Sequence, residues 1–367
     1  MKLRRLTGLL LSLVLLFCTG CSQSAAPRSA PSPTAEEQAL SSPPEASAEA
    51  PSDQQAEETV SAEKNAPAPA QEASFTLCAY LPVSSMTQGA AAVAEEYAGS
   101  IAALDYLVLN TGAYWDENGA LSLSDELLDA IETLQGKTAL WCTVNPQGTL
   151  IREGTAGQSI DTPQERQALA QKIAAFAEQY GLAGIDIDWE FPLDDEWEDF
   201  STFLITLKDT LSQNSEPVAL SLALYPEEIA LSEEAIAALD RIHMMAYDQF
   251  DSEGFHSTMQ AAEDAVAYFT ALGASPQQLV LGIPAYGRPL DGSAQWVFYK
   301  DIDPESISGE NPDLVGDISF NSAATAAQKT QYALEQNLGG VMVYQLLCDR
   351  NDQDALILAC ANMAENA

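Results

Sequence analysis

Basic residues are scarce in this chain. Its 367 residues include 15 Lys and Arg against 54 Asp and Glu, a formal net charge of −39. The imbalance is not confined to a tail, because residues 75–367 alone carry 45 acids and 10 bases. Such a surface repels phosphate backbones and polyanions, which excludes nucleic-acid binding and favours a neutral partner. Histidine is rarer still. His243 and His256 have no ligand spacing around them, so no metal site is expected and both read as ordinary residues. Cysteine is also sparse. Cys18 and Cys21 belong to the N-terminus, leaving Cys78, Cys142, Cys348 and Cys360. A domain of this size needs no disulfide framework, so these four are expected as free core thiols with one bridge at most.

The N-terminus carries the positive residues Lys2, Arg4 and Arg5, then the apolar run Leu9–Phe17, too short to span a bilayer. It ends in Cys18-Thr19-Gly20-Cys21. This resembles the lipobox of bacterial lipoproteins, in which cleavage precedes a cysteine that then carries lipid, although Cys18 stands where Leu is usual. The resemblance implies a signal peptide over residues 1–21 and a lipid on Cys21. The mature chain would then sit at the extracellular face of a bacterial membrane, touching it only through that anchor. Residues 22–74 are dominated by Ala, Pro, Ser and Glu and have no aromatic residue. They read as a disordered linker, with a reach of about 40 Å as a coil.

From residue 75 the pattern changes. Strand-like apolar runs are expected at Phe75–Tyr80, Tyr106–Asn110, Thr138–Val144, Gly184–Glu190, Val218–Leu224, Arg241–Tyr247, Leu279–Pro284 and Gly340–Tyr344. Amphipathic stretches between them, such as Pro163–Tyr180, Glu196–Gln213, Met259–Leu272 and Ala324–Gln336, predict helices. Alternating strand and helix means a parallel sheet, and eight such units in about 290 residues is the arithmetic of a (β/α)8 TIM barrel. The alternative, an open doubly wound sheet, wants a Gly-rich phosphate loop after its first strand, and residues 80–90 offer none. Residues 75–367 are therefore expected to form one barrel domain. The stretch between the seventh and eighth strands is short, so no large insertion is expected there.

A barrel places its chemistry at the C-terminal ends of its strands. The fourth predicted strand, Gly184-Ile185-Asp186-Ile187-Asp188-Trp189-Glu190, alternates acids with apolar residues. Asp186, Asp188 and Glu190 share one face, with Ile185, Ile187 and Trp189 on the other. Three carboxylates so close repel one another, so at least one should hold a proton near neutral pH. The last, nearest the open mouth, is placed to donate it, as glycosidase acids do. Acids buried on such a strand without a purpose would cost several kcal/mol each.

This strand resembles the DxxDxDxE signature of glycoside hydrolase family 18, the chitinase family. Asp186, Asp188 and Glu190 fill its last three positions, and Ala183 departs from the first. Met245-Ala246-Tyr247-Asp248 is similar to the family's sixth-strand motif. Leu281 to Arg288 is similar to the seventh. Gly339 to Tyr344, followed by Asp349, is similar to the eighth, with Tyr344 in place of the usual Trp. The third strand, Ala139 to Asn145, lacks the family's Ser-x-Gly-Gly. The resemblance covers roughly residues 75–365.

It implies retaining, substrate-assisted hydrolysis of β-1,4-linked N-acetylglucosamine glycans without metal or organic cofactor. Glu190 would be the acid and base, and Asp188 would hold the acetamido group. Asp186 would share a proton with Asp188, and Tyr247 would orient the acetamido oxygen. Asp248, Tyr344, Tyr286, Tyr80 and Arg288 are the candidate substrate-binding residues; Arg288 reads equally as an ion-pair partner. Trp115 and Trp296, in loop-like stretches, could extend the cleft. The expected partner is a neutral N-acetylglucosamine-containing glycan and the expected state a monomer. Two alternatives stay open: an endo-β-N-acetylglucosaminidase on N-glycans or cell-wall glycan, and an inactive sugar-binding lectin.

Overall fold

A computed structural model describes residues 75–190, 192–307 and 311–367. The leader with Cys21 and the 22–74 linker lie outside the described residues. Eight parallel strands close into a barrel: β1 (Thr76–Pro82), β2 (Tyr106–Trp115), β3 (Ala139–Pro146), β4 (Gly184–Ile187), β5 (Ala219–Leu224), β6 (Arg241–Met244), β7 (Leu279–Pro284) and β8 (Gly340–Tyr344). Each pairs with its neighbour in sequence, and β1 pairs with both β2 and β8, so the barrel closes on itself, with a short strand Leu121–Leu123 added antiparallel to the end of β2. The (β/α)8 fold anticipated from the alternating pattern is the fold observed.

Strand periodicity sorts the side chains into two cores. Odd-numbered positions such as Leu77, Ala79 and Leu81 on β1 join Ile185 and Ile187 on β4 in the layer beneath the helices. Their alternates, Cys78 and Tyr80, point inward with Tyr106, Trp141, Val280 and Met342. Gly184 belongs to this inner set and pairs with Trp141 on β3. A Cβ on Gly184 would lie 2.1 Å from the Trp141 ring, so only glycine lets that ring cross the barrel. The helix over residues Pro163–Tyr180 begins and ends where the sequence places it. Thr162 and Glu165 form a reciprocal cap at its start, and Pro163 takes the first helical position.

Four observations differ from the expectations. Strand β4 stops at Ile187 rather than Glu190, because the Asp188 N–H turns to the Asn145 side chain at 2.7 Å. Strand β6 stops at Met244, leaving Tyr247 and Asp248 in the following loop. Strand β2 runs on to Trp115, which is fully buried against Trp189 and Phe203 and so belongs to the core rather than the cleft. Finally, the segment after β7 holds a small antiparallel sheet, formed by residues 286–289, 297–298, 314–315 and 318–319. The insertion is modest, yet it builds one wall of the barrel mouth. All four cysteines of the domain are free and buried, without the bridge allowed for above. Among the described residues no helix is long and apolar enough to cross a membrane.

Candidate active site

Strand register assembles the site from below. Asp186 on β4 lies beside Thr143 on β3 and Ser221 on β5. Both hydroxyls donate to its carboxylate, at 3.0 and 2.5 Å, and the Tyr80 hydroxyl donates at 2.9 Å. Asp186 is fully buried, and these three hydroxyl donors compensate for its lost hydration. His243 completes the floor. Its Nδ1 lies 2.6 Å from the Tyr80 hydroxyl and its Nε2 lies 2.9 Å from that of Tyr106. One arrangement satisfies every group: Nδ1–H donates to Tyr80, Tyr80 donates to Asp186, and Tyr106 donates to Nε2. His243 is thus part of the acid's support, which the sequence analysis did not see.

Asp188 and Glu190 stand above this floor, beyond the end of β4. Burial, with the charges of Glu190 and Asp186, holds the Asp188 carboxyl well above the usual carboxylate range. Its Oδ1 is buried without a hydrogen-bond partner among the described residues. Burial, and then the charge of Asp248, pushes Glu190 up to about 7. Asp186 makes no hydrogen bond to Asp188; its oxygens are taken by the three hydroxyls. Ala183, the departure at the signature's first position, is exposed at the strand entrance, remote from these acids.

The opposite wall comes from the loop after β6 and from the small sheet. Tyr247 is buried and stacks on Tyr344, with ring centroids 5.5 Å apart. Gly282 makes room for it: a Cβ there would meet the Met244 carbonyl at 2.3 Å and the Tyr247 ring at 2.9 Å. Asp248 accepts from the Tyr286 hydroxyl at 2.8 Å and pairs with Arg288. Burial alone would raise its pKa, but His256, Tyr286 and Arg288 outweigh burial and keep it charged below the usual range. The backbone N–H of Asp248 donates to His256 Nε2 at 2.9 Å. Burial lowers the pKa of His256 below its ordinary value.

Several candidate substrate contacts are therefore committed elsewhere. Tyr80 is 2% exposed and lies beneath the cleft, bonded to Asp186. The buried Tyr286 and Arg288 both serve Asp248, and Arg288 Nη2 also donates to the Ser293 carbonyl. Asp349 accepts the N–H groups of Arg350, Leu356 and Ile357, so it caps a helix and is no part of the cleft. Trp296, in contrast, is 36% exposed. It lies flat on Tyr286 at 3.8 Å and edge-on to Tyr344, presenting an indole at the mouth. Its loop-like surroundings had left its role open. Asn145 and Thr143 were hidden in a third strand that departs from the family pattern, and only register shows their use.

A parallel eight-strand barrel with stacked acids on one strand end and aromatic rings around its mouth defines the barrel-glycosidase class. A family model described as "Glycosyl hydrolases family 18" matches residues 77–349, and the chain belongs to that family. It is 24% identical over 245 residues to "Chitinase 1" of Aphanocladium album, covering 52% of this chain and 58% of that protein. Among solved structures it is similar to a family 18 chitinase from the chitin utilization locus of Flavobacterium johnsoniae. There the TM-score is 0.67 at 22% identity, over 80% of this chain and 94% of the other. A Cycas revoluta chitinase in complex with (GlcNAc)3 aligns with a TM-score of 0.59 at 20% identity, over 78% of this chain and 99% of that one. The two structural likenesses establish the fold. The chain spans between about a third and three fifths of the length of the first curated relatives it matches.

Proposed function

We propose that this protein hydrolyses β-1,4 bonds next to N-acetylglucosamine in chitin or its oligosaccharides, with retention of configuration. The observation that carries this is Glu190: a carboxyl with a pKa near 7 at the lip of the barrel, above a half-buried Asp188 whose Oδ1 is enclosed. The names of the relatives support the substrate class, as does the sugar bound in the Cycas structure. Glu190 donates its proton to the leaving glycosidic oxygen while the substrate's own acetamido oxygen attacks the anomeric carbon. The C–O bond breaks and an oxazolinium ion forms. Asp188, with an unpaired oxygen, accepts the acetamido N–H. Tyr247, kept neutral by burial, donates its hydroxyl to the acetamido oxygen. Glu190, now ionised, takes a proton from a water that attacks the anomeric carbon from the face the leaving group left, breaking the bond to the acetamido oxygen and opening the oxazolinium. Asp186 stays in place as the hydroxyl-bound base of the stack. The lipid on Cys21 and the linker would hold this domain at the cell surface.

The test uses the chain and its Glu190→Gln variant with N-acetylglucosamine oligomers of two to six units. Products are followed by mass spectrometry and their anomeric form by NMR. Cleavage to β-anomers, lost in the variant, is the expected result. Binding without cleavage in both proteins would make it a lectin; neither binding nor cleavage would redirect attention to N-glycans and cell-wall fragments.

A further inference from the structure

The loop that carries Tyr247 and Asp248 is held in an uncommon backbone conformation. Asp248 has φ +60° and Ser257 has φ +50°, both left-handed positions occupied by residues other than glycine. Ser257 brackets the Tyr247-Asp248 pair. Its hydroxyl donates to the Ala246 carbonyl at 2.7 Å, and its N–H donates to the Gln249 carbonyl at 3.0 Å. Ser257 is itself held from behind. Lys329, on the helix Ala323–Glu335, is fully buried. Its Nζ donates to the Ser257 carbonyl at 2.7 Å, the Ser257 hydroxyl at 2.9 Å and the Asn321 Oδ1 at 2.7 Å. Asn321 returns a bond from Nδ2 to the same Ser257 carbonyl at 3.0 Å.

An ammonium with all three protons committed to neutral acceptors is an expensive group to bury. Among the described residues no carboxylate lies within ion-pair distance of it. Asp313, His256 and Cys360 are the titratable groups around it, and burial lowers its pKa to about 7. An apolar residue would fill the space without that cost, but it could not hold the Ser257 carbonyl and hydroxyl together.

We propose that Lys329 is a positioning residue: through Ser257 it fixes the turn that sets Tyr247 and Asp248 against Glu190. The proposal rests on the family 18 reading of Glu190 as the acid, but its geometry can be tested apart from turnover. Glu190 is faced by Asp188 beyond β4, by Tyr247 and Asp248 from this turn, and by Tyr344 from β8, and Asp194, Tyr225, Glu227 and Glu228 line the same cavity. Of these, Asp248 holds the negative charge that helps keep Glu190 protonated, and Arg288 and Tyr286 fix its carboxylate. If the turn relaxes, Asp248 moves off and water enters, and both changes favour ionised Glu190.

The experiment titrates the Glu190 side-chain carboxyl by carbon-13 NMR in the full chain, with Glu190→Gln identifying the signal. In Lys329→Met and in Ser257→Ala the midpoint is expected to move to lower pH. Turnover of N-acetylglucosamine oligomers should fall about 10-fold to 100-fold in kcat, with a smaller change in KM. The two changes should be strongly non-additive when combined, because they interrupt one path. A lysine that only supports the fold would lower the melting temperature and leave the Glu190 midpoint where it was, and that result overturns the proposal. If Lys329→Met does not fold, the Ser257→Ala midpoint decides. A wild-type chain without turnover whose midpoint still moves in the variants would retract the proposed activity and keep the positioning role.

Discussion

At the residue scale, Glu190 and Asp188 show what burial does to a carboxyl. Glu190 is raised from an ordinary value of 4.5 to about 7. A general acid must be protonated, so kcat/KM should fall about tenfold per pH unit above 7. A rate profile with no basic limb between pH 6 and 8 would remove Glu190 from that role. Glu190→Gln should lower kcat by about 10²-fold to 10⁴-fold, the usual worth of a positioned acid. The same shift has a stability consequence. Because the folded-state pKa lies above the unfolded one, the native form binds the extra proton between about pH 4.5 and 7. Its contribution is present below pH 4.5 and is lost as pH rises through 7. The glutamine variant carries no charge to bury, so its melting temperature should exceed that of the wild type by more at pH 8 than at pH 4.5. Equal differences at both pH values, by calorimetry, would count against a native pKa near 7.

At the element scale, the site depends on strand register more than on any one motif. Thr143, Asp186 and Ser221 are register partners on three neighbouring strands, and a slip of one residue would turn Asp186 into the helical layer. Gly184→Ala places a methyl group against Trp141 across that same pairing and should cost about 1–3 kcal/mol in urea unfolding. A neutral result would mean that the ring has room to move. The loop leading into the small sheet's strand at 297–298 carries Trp296, whose partly exposed ring lies on Tyr286 and edge-on to Tyr344. Trp296→Ala should raise KM for longer oligomers with little change in kcat, as loss of uniform binding does. A drop confined to kcat would place the indole against the reacting sugar instead.

Much of this scale was legible beforehand. The helix Pro163–Tyr180 is marked by its threonine cap and proline start. All eight strands lie where their apolar runs lie. The over-runs at β4 and β6 share one cause: alternation continues in the side chains after the backbone has left the sheet. The Asp188 N–H bonds a side chain, and the Ala246 N–H turns back to the Met244 carbonyl at 2.8 Å. Neither event leaves a mark in a hydrophobic pattern. The two histidines carry no ligand spacing because their partners are tyrosine hydroxyls from distant strands for His243 and a peptide N–H of the neighbouring loop for His256. Tyr80 and Tyr286 stand at the expected end of the barrel but beneath its surface, since exposure is not encoded in spacing, and of its two readings Arg288 takes that of ion-pair partner.

At the scale of the whole molecule, the charge decides which partners can approach. With −35 on residues 75–367, cleavage of neutral oligomers should vary little between about 20 and 500 mM salt, whereas thermal stability should rise as self-repulsion is screened. A kcat/KM that falls steeply with salt would indicate a charged substrate. The sequence by itself determined the barrel, the family and the three acids, because each rests on local periodicity or contiguous residues along one strand. Tertiary structure alone decided which acid is saturated and which is left to react. It also decided which aromatics reach the surface, and that a lysine on a late helix braces a turn carrying Tyr247 and Asp248. Those outcomes depend on the sum of burial and partners brought from distant strands, as between Tyr80 and His243, 163 positions apart, and no short window of sequence contains them.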